Sequence, residues 1–189
     1  SLRGGQPSTA DLHLVVGPGV LLTRGGAAGT LRITAGAGPA MADLDLRATD
    51  AVLRGAGVWI KTGSISGSGP LARLPLAVKV EGEASGTPLV LNGAGLLTEI
   101  GADRQFAFNG SGKVRAASFS TTEPLTVRFG PTGRVSRARL ELGGGHAQLD
   151  AREADGAVNA TGGLHGVEMK ALNADFTGRI DADLQLHGK

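Results

Sequence analysis

Apolar and polar residues alternate with a period of two along much of this chain. In "GRIDADLQLHG", residues 178–188, Ile180, Ala182, Leu184 and Leu186 hold one parity, and Arg179, Asp181, Asp183, Gln185 and His187 hold the other. Successive side chains of an extended strand point to opposite faces, so this spacing predicts a strand with one apolar and one polar face. "LDLRA" repeats it, with Leu44, Leu46 and Ala48 against Asp43, Asp45 and Arg47. "LAVKVEG" sets Leu76, Val78 and Val80 against Ala77, Lys79 and Glu81. "FAFNGSGKV" puts Phe106 and Phe108 on a parity that Gly110, Gly112 and Val114 continue. "LTVRF" sets Leu125, Val127 and Phe129 against Thr126 and Arg128. "ARLEL" gives Ala138, Leu140 and Leu142, and "AQLDAR" gives Ala147, Leu149 and Ala151. "DLHLVV" and "LRITAG" also read as strands, although the first 40 residues fit the pattern least well.

Turn signals separate these runs: "TRGGAAG", "GAGPA", "GSGPL", "ASGTP", "GADRQ", "GPTG" and "EADG". Asp155-Gly156 is the strongest hairpin signal, because both central positions of a tight two-residue turn need a positive φ. In "FGPTGRV", Pro131 presets φ and Gly133 supplies the positive one. Strand centres fall roughly ten residues apart, the rhythm of an all-β meander, sandwich or solenoid. "GVEMKALNADF" could make a helical turn, but Val167, Met169 and Ala171 also alternate, and it reads as strand or loop. The blocks "LNGAGLL", "FNGSGKV" and "SISGSGPL" share an apolar-x-Gly-x-Gly form without a strict period. Glycine inside a strand marks a bulge, a sharp twist or a close approach of backbones.

Composition narrows the picture. Of 189 residues 32 are glycine, aromatics make up 3%, and Trp59 is the one tryptophan, so a core here must be packed from aliphatic side chains. The formal net charge is +2, and the bases are interspersed with acids rather than gathered in a stripe, which argues against a nucleic-acid partner. The absence of cysteine removes disulfides, thiolate metal sites and thiol nucleophiles together. No run of about 18 apolar residues occurs, so none of this sequence spans a bilayer as a helix. The chain starts at Ser1 without a signal peptide, and is expected to be a single segment, 1–189, excised from a longer protein whose anchor lies elsewhere.

Reactive chemistry is not apparent. His13, His146, His165 and His187 lack metal-ligand spacing, and the pairs Asp43/Asp45 and Asp181/Asp183 read as solvated polar faces. "GSGK" at 110–113 is not a phosphate loop, because Val114 stands where a hydroxyl should meet magnesium. Neither a nucleophile elbow nor a complete dinucleotide fingerprint is found. Asn109 and Asn159 sit in sequons that arise often by chance. No catalytic residue, metal or cofactor is assigned, and a non-enzymatic function is expected.

The stretches "MADLDLRATDAVLRGAGVWIKTGSISGSGPLARLPLAVKVEGEASG", "LNGAGLL", "FNGSGKVRAASFSTTEPLTVRFG" and "LNADFTGRIDADLQLHGK" together resemble the TamB group of bacterial envelope proteins, related to AsmA-like and YdbH-like proteins. The resemblance covers residues 40–189 and rests on pattern, not on a catalytic signature. It implies an all-β fold: an elongated, mostly antiparallel sheet curled into a β-taco, open along one side and apolar within. It further implies a Gram-negative periplasmic location, an inner-membrane anchor in the full-length protein, phospholipid movement toward the outer membrane, and a TamA-like partner reached through other parts of the protein.

On this reading Leu44, Leu46, Leu76, Val78, Val80, Leu89 and Leu91 line the first part of the groove. Phe106, Phe108, Leu125, Val127, Phe129, Leu140, Leu142, Leu149, Ile180, Leu184 and Leu186 line the rest. Phospholipid acyl chains are the expected occupant. A palmitoyl tail is about 20 Å long, the span of a strand of six to eight residues at ~3.3 Å each. An aliphatic wall imposes no directional bonds, so tails can be held and still slide. Two alternatives use the same residues: the interior of a closed β-sandwich, and a structural or chaperone module that pairs strand edges with outer-membrane β-barrel clients. Scarce aromatics, glycine within strands and a last strand without a terminating turn favour the open groove.

Overall fold

The computed structural model describes residues 8–19, 22–54, 57–100, 102–114, 117–131, 133–172 and 175–188. These residues are strand almost throughout, in two compact units, Ser1–Thr98 and Glu99–Lys189. The first carries β1 (Ser8–Val16), β2 (Leu22–Ala35), β3 (Met41–Leu53), β4 (Val58–Pro70), β5 (Arg73–Ala84) and nearly all of β6 (Thr87–Ile100). The second carries β7 (Asp103–Val114), β8 (Ala117–Thr121), β9 (Leu125–Gly130), β10 (Gly133–Leu142), β11 (Gly145–Ala154), β12 (Ala157–Glu168), α1 (Met169–Leu172) and β13 (Arg179–Gly188).

In the first unit the strands lie side by side in chain order, each antiparallel to the next. Residues 8–16 and 22–35 therefore belong to the same sheet: Leu12 faces Leu31, and Leu31 faces Leu44. Strands β2 to β6 run 12 to 14 residues, longer than a ten-residue rhythm allows. Two-residue turns join several of them. Ser85 and Gly86 (φ 49° and 74°) link β5 to β6, as Asp155 and Gly156 (φ 53° and 73°) link β11 to β12. Paired positive φ values match the right-handed twist of the flanking strands.

The second unit has the order β7-β8-β10-β11-β12-β13, with β9 also between β7 and β10. Strands β8 and β9 occupy one slot, interrupted at 122–124. Pro124 has no N–H to give the ladder. Beside this break the Thr121 hydroxyl takes over, accepting from the Gly110 N–H at 3.1 Å and donating to its carbonyl at 3.3 Å. The "GVEMKALNADF" stretch divides: it is strand to Glu168 and a single helical turn over 169–172, while 173–174 lie outside the described residues.

Bulges keep the faces in phase. A slip of one residue would turn every following side chain to the wrong side. The irregularity between Ile60 and Thr62 returns Ile60 to the face of Ala51 and Gly82, and leaves Trp59 on the opposite one beside Val52 and Glu83. Glycines keep the apolar face low. A Cβ at Gly67 would run into the Pro75 carbonyl and lie 2.7 Å from Leu76 Cδ2, and one at Gly29 would run into the Asp45 carbonyl and lie 2.8 Å from Leu46 Cδ2, so neighbouring backbone and leucine both close on each glycine.

Gly67→Ala should therefore push β4 from β5 and cost about 1–3 kcal/mol in a urea titration. Gly86→Asn has open space and a φ that asparagine tolerates, and should change stability by less than ~0.5 kcal/mol. Equal costs at the two positions would contradict the close packing at Gly67.

Candidate functional site

Residues directly opposite in an antiparallel ladder share a face, so the registers show which side chains the fold assembles. In the first unit, Leu14, Gly29, Leu46, Ile65, Val78 and Gly93 form one row across six strands. Val16, Ala27, Ala48, Gly63, Val80 and Leu91 form the next. Leu44 and Leu76 each face a glycine, Gly67 and Gly95, and Leu89 faces Gly82. All seven sequence-predicted lining residues of this unit thus lie on one face.

The second unit behaves alike. Phe106 faces Val127, Phe108 faces Leu125, and their rings stack with centroids 6.4 Å apart. Leu140, Ala147, Leu164 and Ala182 form one row; Ala138, Leu149, Gly162 and Leu184 form the next; Ala151, Ala160 and Leu186 follow. Ile180 faces Val167, and Leu142 faces both Phe119 and Gly145. Leu12, Leu14, Val16, Leu31, Ile65 and Leu164 share these apolar faces and were not among the predicted lining. Their signal was present for Leu12, Leu14 and Leu31, whose segments already alternate.

Burial separates the lining into two kinds. Val78 and Phe108 are covered, at 8% and 7% exposure. Leu149, Leu184 and Leu186 are 42%, 61% and 54% exposed. Ala138, Leu140, Leu149, Gly162, Leu164 and Leu184 border a trough of about 470 Å³ that Gln148 and Asp183 also reach. From Ser136 to Leu142 this face extends about 20 Å along β10.

One end of the second unit is closed. There α1, which follows β12 in the chain, lies against β8, three places away from β12 in the ladder, so the sheet curves at this end. Gly143 stitches the curve: its N–H donates to Ser118 O (3.2 Å), and its carbonyl accepts from the Glu168 N–H (3.1 Å). Val167 is fully buried and Ala117 nearly so, at 4%.

Val167 is the largest fully buried side chain among the described residues.

The opposite faces are held by charge. Arg32 donates to Asp11 at 2.6 Å, and Arg137 and Arg139 both donate to Asp150, at 3.1 and 2.6 Å. The bond from Arg139 foremost, with that from Arg137, holds the Asp150 carboxyl below its ordinary value against an opposing effect of burial. Around the β2 bulge, Arg24 and the Trp59 indole both donate to Asp50 Oδ1, at 2.8 and 2.7 Å, and Arg24 sits over the Trp59 ring at 5.5 Å. The Arg24 bond first, then the indole, lowers the Asp50 pKa. His13, His146, His165 and His187 are all exposed. His187 Nδ1 and Asn159 Oδ1 are 2.7 Å apart, and Asp181 accepts from the Gly166 N–H at the β12 bulge. Among the described residues no three histidine or acidic side chains gather as metal ligands, and no helix is long and apolar enough to cross a membrane.

No protein-family model matches the chain, and neither a curated protein nor a solved structure matches it.

A depressed carboxylate pKa stabilises the fold in full above the unfolded value, here 3.8, and that stability is lost as pH falls through the folded value. Asp50→Asn and Asp150→Asn should therefore lower stability at neutral pH and flatten the acid limb of the stability curve below about pH 5. Trp59 fluorescence should shift to the red at neutral pH in Asp50→Ala alone. An unchanged acid limb in both asparagine variants would contradict the pairing.

Proposed function

We propose that this chain is a segment of a periplasmic bridge that carries phospholipid acyl chains along its apolar sheet faces toward the outer membrane, as the resemblance to the TamB group implies. The observation that carries this reading is the exposure of Leu149, Leu184 and Leu186 among rows across β10 to β13, from Ser136 to Leu140, that hold otherwise only aliphatic and small residues. A sheet face of this composition needs a cover. Acyl chains supply one: each methylene sheltered from water contributes ~0.8 kcal/mol, so a half-covered palmitoyl tail gains about 5–6 kcal/mol. That is enough to hold a tail and too diffuse to fix it in one place. The full-length protein is then anchored in the inner membrane and works without a catalytic group.

One feature favours a second reading, strand-edge pairing with outer-membrane protein clients. β1 is nine residues long and exposed along its whole length, and β2 is its one strand partner among the described residues. A long unpaired edge is a template for another strand.

A photocrosslinking amino acid at Leu149 or Leu184 should capture phospholipid, and one at Arg152 or Gln185, on the opposite face, should not. Leu184→Asp should abolish lipid retention while altering stability by less than ~0.5 kcal/mol, because the side chain is already 61% exposed. Val167→Ala should instead cost about 2 kcal/mol. Equal lipid capture on both faces would overturn the groove, and client binding that survives Leu184→Asp but not proline substitution in β1 would support edge pairing.

A further inference from the structure

The apolar face of the second unit does not end uniformly. At one end it closes under α1 around Val167 and Ala117. At the other it stops at a row of charges on the same face. Phe129 stands directly opposite Arg104 on β7 and directly opposite Arg134 on β10, and Arg134 stands opposite Glu153 on β11. Each arginine has an acidic neighbour: Arg104 pairs with Glu99, and Arg134 lies 3.8 Å from Glu153. Phe129 is 40% exposed, and the four charged side chains are 39% to 62% exposed. The order across the rim is acid, base, ring, base, acid.

We infer that this rim is a headgroup site that selects a zwitterionic phospholipid, with phosphate between Arg104 and Arg134 over Phe129 and the ammonium beside Glu99 or Glu153. The inference rests on the acyl-chain reading above and adds an orientation to it: tails point toward Val167, and headgroups sit at Phe129. Geometry supports the placement. The two arginines are two strand spacings apart, about 10 Å between backbones, and both guanidinium arms can reach a phosphate held midway. From Arg134 to Leu142 the face runs about 26 Å along β10, room for a headgroup and a tail of about 20 Å. Charge complementarity supports the class of lipid. An anionic headgroup would meet the two arginines but also the two glutamates. A phosphoethanolamine headgroup matches both signs.

The test uses the purified chain mixed with vesicles of equal phosphatidylethanolamine and phosphatidylglycerol, and reads by mass spectrometry the lipid carried off. The wild type should carry phosphatidylethanolamine in excess. Glu99→Gln/Glu153→Gln should move the ratio toward phosphatidylglycerol by about threefold, the change that exposed ion pairs support. Arg104→Gln/Arg134→Gln should reduce capture of both phospholipids but leave capture of diacylglycerol, which has no phosphate, unchanged. Inorganic phosphate in large excess should not displace the lipid; if it does, the rim is a simple anion site and the inference fails. A ratio unmoved by either double variant, with lipid still bound, overturns the headgroup site and leaves the acyl-chain reading standing. A wild type that carries off neither phospholipid nor diacylglycerol overturns both.

Discussion

A sheet that is apolar on one side must cover that side, and here the polypeptide leaves much of the cover unmade. The strands of each unit are spent on pairing edge to edge. Side chains that could arch over a sheet are scarce, because the chain has five phenylalanines, one tryptophan and no tyrosine. What remains is an aliphatic pavement in which leucines close on glycines of the next strand, as Leu46 does on Gly29 and Leu76 on Gly67. Such a surface is low and offers no directional bonds. Those are the properties that a sliding hydrocarbon chain needs, and they differ from the few fixed polar contacts that define a selective pocket.

With little core to rely on, the fold is held by its ladders and by what keeps them in register. Bulges at Arg24 and Ile60 correct the phase of long strands, and the cluster of Arg24, Asp50 and Trp59 braces the first of these from the polar side. The doubled bond of Arg137 and Arg139 to Asp150 ties β10 to β11 in the same way. These pairs are exposed and screened by water, so each adds little to stability. Their role is to fix position: a one-residue slip would put Asp150 and Asp183 onto the apolar face.

Much of this was legible in the sequence wherever leucine, valine and phenylalanine carried the alternation. The strands at Leu44, Val78, Phe106, Leu140 and Leu184 follow directly from parity, and the hairpins at Asp155-Gly156 and Gly133 follow from the φ that those residues allow. Strands β4 and β12 were harder to read, because Gly63, Gly67 and Gly162 occupy apolar positions without an apolar side chain to reveal them. Strand length was read short for the same reason. The curve at Val167 was not legible, since it depends on α1 meeting two strands far apart in the chain. Nor was the charged rim. Arg104, Phe129 and Arg134 become neighbours only through registers that no local pattern records.

The central claim is that fatty tails complete the interior that this sheet begins. Native mass spectrometry of the chain purified from a cell envelope, without detergent exchange, tests it most directly. The account predicts a folded chain carrying additional mass that matches intact phospholipids and is released on collisional activation. A folded chain that flies with no lipid under these gentle conditions, and takes none up from membranes, would contradict it.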